Sequence, residues 1–294
     1  MIDLDDPTVR KHVEQKARQR ARDTASSSTR RGARETGVDG APGQRLVNRW
    51  IKLDLDRPIE PTHDPWTLGD AFELEFEDAS VSPGVVKVSL GAMKAANGGE
   101  WTKTGGRAWH CVTGWSARGV EFRGVSLDVA LRTAFGANDE QNGRRRKYAC
   151  LFQTSADGYT VGVDGRDVEG AFLAVTDGEG NMLSRDHGGP RLVFPHLYGW
   201  KSAKYLTKVE LLDSYRDGFW EKLGCNRRGR WALEERWSES ASRVWNVLAW
   251  LTSRYAVFGG ERVWVWVMVR GGAFLGSIAA TFTSLFNSSS ANKY

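Results

Sequence analysis

The 294-residue sequence holds only three cysteines, Cys111, Cys150 and Cys225, and no C-x-x-C pair. So sparse and odd a count excludes a disulfide scaffold and a structural zinc site, and it predicts a reducing, cytoplasmic setting. The start, Met1-Ile2-Asp3-Leu4-Asp5-Asp6, is acidic and no apolar run follows it, so no N-terminal signal peptide is read. Only 8 prolines stand against 33 glycines, which argues for many turns in a sheet-rich chain rather than a helical bundle. No helix-turn-helix, zinc-finger or RNA-recognition signature accompanies the basic stretches, so no nucleic-acid partner is expected.

What is present begins with charge. The net +5 comes largely from residues 10–34 and from Arg144-Arg145-Arg146-Lys147, read as a solvated tail and a basic loop. Residues 1–45 are poor in aromatics and rich in Arg, Ser, Thr and Gly, and read as a basic, disordered arm. With 40% hydrophobic and 11% aromatic residues, the remainder has ample material for a core. Ile51-Lys52-Leu53-Asp54-Leu55-Asp56 and Phe72-Glu73-Leu74-Glu75-Phe76-Glu77 alternate apolar and polar as half-buried strands do. Further strands are predicted at 85–88, 119–125, 148–154, 172–175, 192–195 and 208–212. Ser89 and Ser126 each stand where a helix cap belongs. Short strands mixed with short helices, without βαβ spacing, predict an α+β domain over 46–240.

From 241 to 294 the chain is apolar. Residues 263–286 are long enough to cross a bilayer as a helix, but Arg270 and Gly271-Gly272 oppose insertion, so membrane association through this tail and a soluble extension both stay open.

Two segments carry chemistry. The first is Trp109-His110-Cys111-Val112-Thr113-Gly114-Trp115-Ser116. A lone cysteine beside Trp and Val is more often a small core residue than a ligand; His110 and the hydroxyls around it point toward a thiolate, the form that binds metal. The second runs His187-Gly188-Gly189-Pro190-Arg191 to His196-Leu197-Tyr198-Gly199-Trp200-Lys201-Ser202-Ala203-Lys204. Glycines let a backbone approach a ligand, arginine grips phosphate bidentately, and a loop with flanking lysines suits a phosphate.

Together the two segments resemble the oxidoreductase molybdopterin-binding domain of the sulfite oxidase family, over about residues 50–237. The resemblance implies that family's fold of mixed sheets, short helices and long loops, and a molybdenum–molybdopterin cofactor. It implies Cys111 as the metal ligand and catalytic centre. It implies His110, His187, Arg191, Lys201, Ser202, Ala203 and Lys204 around the pterin and its phosphate. Tyr159, in Asp157-Gly158-Tyr159-Thr160, falls where the family carries an active-site tyrosine, and reads equally as a packed turn residue. One residue that the family has between Pro190 and Arg191 is missing here. The family's haem-binding domain has no counterpart in the sequence.

The implied reaction is two-electron oxygen-atom transfer, with a separate electron carrier and a small oxo or sulfur substrate. Cys-Val-x-x-Trp-Ser at 111–116 is similar to methionine sulfoxide reductase catalytic subunits, and Arg118 is the one arginine close by. An aromatic pocket suits a sulfoxide better than a dianion, which is costly to desolvate. Sulfite-type oxidation and a cofactor-free binding protein stay as alternatives.

Overall fold

The structure is a computed structural model that describes residues 41–47, 59–80, 84–104, 107–112, 114–136, 147–222 and 224–238. Residues 1–40 of the arm expected over 1–45, the strand at 51–56, the arginines of the 144–147 run and the extension at 241–294 lie outside the described residues. So does the 263–286 segment; among the described residues no helix is long and apolar enough to cross a membrane. The described residues fall within one compact unit, Gly32–Ala241.

The fold is α+β. Its largest sheet orders β3 (Val85–Ser89), β2 (Glu73–Asp78), β12 (Leu206–Leu212), β8 (Cys150–Ser155) and β9 (Thr160–Asp164). All its pairs are antiparallel except β12 with β2. The alternation read at 72–77 is realised in β2, where Leu74 and Phe76 are fully inside and the glutamates face outward. Each such burial stabilises by roughly 1.5–3 kcal/mol.

A four-stranded sheet orders β11 (Arg191–Val193), β10 (Phe172–Asp177), β7 (Phe122–Ser126) and β4 (Thr102–Lys103). Both sheets are contacted by α2 (Leu90–Ala96) and α3 (Leu127–Phe135), whose Leu90, Met93, Leu127, Ala130 and Leu131 join one core with residues of both. Both helices start where the sequence says. Ser89 Oγ accepts from Ala92 N at 3.1 Å and Ser126 Oγ from Val129 N at 3.2 Å, each satisfying one orphan donor, an arrangement that typically contributes ~1 kcal/mol.

β10 positions the site. Period-two alternation sends Leu173 and Val175 into the main core, while Phe172 and Ala174 pack on the opposite side with Phe122, Leu183 and Trp109. A three-stranded sheet lies beyond, ordered β1 (Arg45–Leu46), β6 (Trp115–Val120) and β5 (Arg107–His110).

Two expectations change. The strand expected over 119–125 is two strands, because the chain leaves the three-stranded sheet after Val120 and enters the four-stranded one at Phe122. The arm is also shorter than its composition suggests. Ala41 is fully buried, β1 pairs in parallel with β6, and Val47 N donates to Ser116 O at 2.8 Å. Composition cannot reveal a partner strand seventy residues away.

Candidate functional site

Cys111 sits in the tight connection from β5 to β6. Its N–H donates to Trp115 O at 2.9 Å, and Gly114 N donates back to Cys111 O at 3.1 Å. Gly114 takes φ +87, which a side chain rarely adopts. Cys111 is buried among Trp115 and Ala117, with Val47, Trp109 and Val120 half-buried around it. The next cation along the strand, Arg118, is exposed. His110, just before the cysteine, is buried against the Trp231 ring at 4.7 Å, and its Nδ1 lies 2.8 Å from Ser116 Oγ.

Trp109 links this hairpin to the second segment. Its indole fills the space where a side chain on Gly199 would stand; an added Cβ would come within 2.3 Å of Nε1. The Arg191 guanidinium lies over the same ring, 4.6 Å from its centre. This cation–π contact connects the cysteine hairpin to the start of β11.

Arg191 is 1% exposed. Its Nε donates to Ser202 Oγ at 2.8 Å, Nη2 to Ser202 O at 2.8 Å, and Nη1 to His187 O at 2.5 Å. These bonds engage three of the five guanidinium N–H groups, and none goes to a carboxylate. Burial lowers its pKa to about 9. A guanidinium resists losing its proton, so a cation this deep calls for an anion.

His187 lies beside Arg191, and burial, then the Arg191 charge, hold its imidazole below the usual range. The stem of Lys204 packs over Gly188, where an added Cβ would meet Lys204 Cβ at 2.6 Å. The 183–187 loop is held from outside by α1 (Pro65–Leu68). Trp66 Nε1 donates to Leu183 O at 2.8 Å, and Arg185 stacks on the Trp66 ring at 4.3 Å.

Residues 92–220 match the family model described as oxidoreductase molybdopterin binding domain. Over those residues the chain is similar to an oxidoreductase molybdopterin-binding domain. Over 124 residues it is 36% identical to the uncharacterized oxidoreductase YuiH of Bacillus subtilis (strain 168), a stretch covering 41% of this chain and 58% of that protein. Among solved structures it is similar to the crystal structure of the sulfane dehydrogenase SoxCD from Paracoccus pantotrophus. There the identity is 17% and the TM-score 0.39, over 50% of this chain and 39% of that one.

The donor set around Arg191 fits an anionic cofactor, because Arg191 is a buried cation with N–H groups to offer and no acidic partner among the described residues. Among the described residues no cluster of three or more His, Cys, Asp or Glu could hold a metal on protein ligands alone.

The structure brings His187, Arg191 and Lys204 together, and gives their neighbours other tasks. Lys201 turns away. Its ammonium, 1% exposed, donates among Gly162 O at 2.8 Å, Tyr215 OH at 3.0 Å, Glu221 Oε1 at 2.8 Å and Arg227 O. Four acceptors around three N–H groups leave nothing for a phosphate, so Lys201 is a structural ion pair. Ser202 gives its hydroxyl proton to Leu192 O and accepts from Arg191, so it holds the guanidinium rather than a phosphate. The backbone N–H groups of Lys201, Ser202 and Ala203 are also engaged, with Tyr198 O, Gly199 O and Gln153 Oε1, so they form no phosphate nest. Tyr159 donates to Trp200 O at 2.6 Å, which makes it a strut under the Gly199–Lys201 turn and not a donor to a metal-bound oxygen.

Sequence reasoning missed Gln153. Fully buried in β8, it donates from Nε2 to Lys201 O at 2.9 Å and accepts from Ala203 N at 3.2 Å, fixing the loop that ends in Lys204. An amide inside the apolar run Cys150-Leu151-Phe152 was the signal.

Lys201→Met is expected to lower stability by about 3–5 kcal/mol in a denaturant titration, because Glu221 is left charged and buried. Adding Glu221→Leu should recover a large part of that loss. An unchanged midpoint in the single variant would show the pair to be solvated.

Proposed function

We propose that this chain is a molybdopterin-dependent oxidoreductase working by two-electron oxygen-atom transfer, as a reductase of a sulfoxide or another neutral oxo substrate. The cofactor supplies the redox change at molybdenum, and electrons come from a separate carrier protein. Cys111 is assigned as the metal ligand, with its thiolate directed by the β5–β6 hairpin. Arg191 provides charge for the pterin's anionic end, helped by Lys204 and by His187, whose lowered pKa keeps it a neutral partner.

The observation carrying this reading is the buried Arg191, which has no acidic partner among the described residues and is joined through Trp109 to the cysteine hairpin. The lean toward a neutral substrate rests on the apolar surroundings of Cys111 and on the exposure of Arg118. A dianion brought against Trp115 and Ala117 would lose hydration, and the buried Arg236 beside the turn already gives Nη1 and Nη2 to the carbonyls of Val112 and Pro42.

The test is the full chain purified from a host that makes the cofactor. Molybdenum near one per chain is expected. The kcat/KM for a sulfoxide with a reduced viologen should exceed that for sulfite with ferricyanide by at least about tenfold, or ~1.4 kcal/mol. The opposite preference would reverse the substrate assignment, and molybdenum-free protein would favour a binding protein instead.

A further inference from the structure

The family match covers residues 92–220, yet the cysteine turn is held by side chains from outside it. Gln44 Nε2 donates to Cys111 O at 3.1 Å. Arg236 Nη1 donates to Val112 O at 2.9 Å, and its Nη2 to Pro42 O at 3.1 Å. Arg236 thus ties the turn to the segment that carries Gln44, and is itself buried, 5% exposed.

We infer that Gln44 and Arg236 are positioning residues that clamp the Cys111–Val112 turn, and that Gln44 also sets, through Ser116, which nitrogen of His110 carries the proton. The inference rests on Cys111 being the residue that meets the cofactor. The direction of the relay follows from counting hydrogens. The bond to Cys111 O fixes the Gln44 amide with Nε2 toward the cysteine, so Oε1 is the atom facing Ser116, 3.1 Å from its Oγ. An amide oxygen only accepts, so the single Ser116 hydroxyl proton points at Gln44. Ser116 Oγ can then only accept from His110, 2.8 Å away, and the neutral ring is the Nδ1–H tautomer. One amide therefore fixes both the backbone that carries the thiol and the ring beside it.

The test uses the full chain throughout. Long-range nitrogen–proton NMR spectra of histidine-labelled protein report the tautomer of each ring, with the other four histidines as internal controls for folding. Wild type should show Nδ1–H at His110. Gln44→Ala and Ser116→Ala should each raise the Nε2–H population several-fold. Gln44→Glu, which keeps an acceptor for Ser116, should retain the wild-type pattern. An unchanged His110 pattern in both alanine variants would overturn the relay.

The clamp is read by iodoacetamide labelling of Cys111, located by peptide mapping, in full-length chain made without cofactor. Gln44→Ala should accelerate labelling at least threefold while the buried Cys150 and Cys225 stay protected. If Gln44→Ala destabilises the fold, all three cysteines would label together, and Gln44→Glu, whose carboxylate keeps an acceptor for Ser116 but cannot donate to Cys111 O, then decides. Wild-type labelling of Cys111 in Gln44→Glu would overturn the clamp. Both readouts are independent of molybdenum. A metal-free wild type with the relay intact would sink the functional reading and leave this one standing, whereas a loaded wild type with unmoved spectra would do the reverse.

Discussion

Cys111→Ser is expected to remove turnover to assay background, a loss of at least about 10³-fold, or ~4 kcal/mol of transition-state stabilisation. A serine hydroxyl is nearly the size of a thiol but is a hard, weakly acidic donor, so the soft thiolate bond proposed for molybdenum would be the property lost. The fold should survive. A hydroxyl placed among Trp115, Ala117 and Trp109 costs about 1–3 kcal/mol if it finds no partner, a fraction of what a domain of this size holds. The visible and EPR spectra of the loaded protein should change with the ligand. Cys150→Ala and Cys225→Ala are the controls. Both residues are buried in the core, and burial holds the Cys150 thiol above its ordinary range, so these variants should lose stability and keep their specific activity. Wild-type spectra and turnover in Cys111→Ser would remove the cysteine from the metal.

What the sequence showed and what it hid differ in physical kind. Ser89, Ser126 and the alternating β2 act on their own neighbours, and their elements stand where the local pattern places them. Cys111 and Arg191 stood out because each lies in a long, non-repetitive stretch whose residue types have a chemical reason to be together, and the fold joins their segments through Trp109. Lys201 shows the limit. Counting cations along 201–204 gives a phosphate loop, but residues so close in sequence leave the backbone in different directions, and Lys201 finds Glu221 twenty residues further on. Tyr159 shows the same limit, since its hydroxyl meets the carbonyl of Trp200 forty-one residues away. Gln44, Gln153 and Arg236 work by holding backbone carbonyls across long separations. Glutamine and arginine are ordinary residues in a sequence, and only the fold reveals what they hold.

Arg191 gives the second large effect, and its variants separate loss of charge from loss of shape. Arg191→Ala removes three charge-assisted bonds, each contributing ~1.5–3 kcal/mol, and leaves a void beside Trp109, so destabilisation is expected along with cofactor loss. Arg191→Lys is the more informative change. It keeps a positive charge, but a single ammonium cannot span His187 O and both oxygens of Ser202, nor stack as a plane on the indole. Molybdenum and pterin per chain should fall at least about tenfold, ~1.4 kcal/mol in affinity, with a smaller drop in the thermal midpoint of the apoprotein than Arg191→Ala gives. Arg191→Ala combined with Lys204→Ala should leave the chain essentially empty. Wild-type apoprotein, whose guanidinium is buried with no carboxylate, should gain thermal stability from millimolar inorganic phosphate, because an anion bound only by the native state shifts the folding equilibrium toward it. The double variant should gain none. Full cofactor content in that variant would place the pterin elsewhere. Equal phosphate stabilisation of both proteins would mean that the buried charge needs no anion.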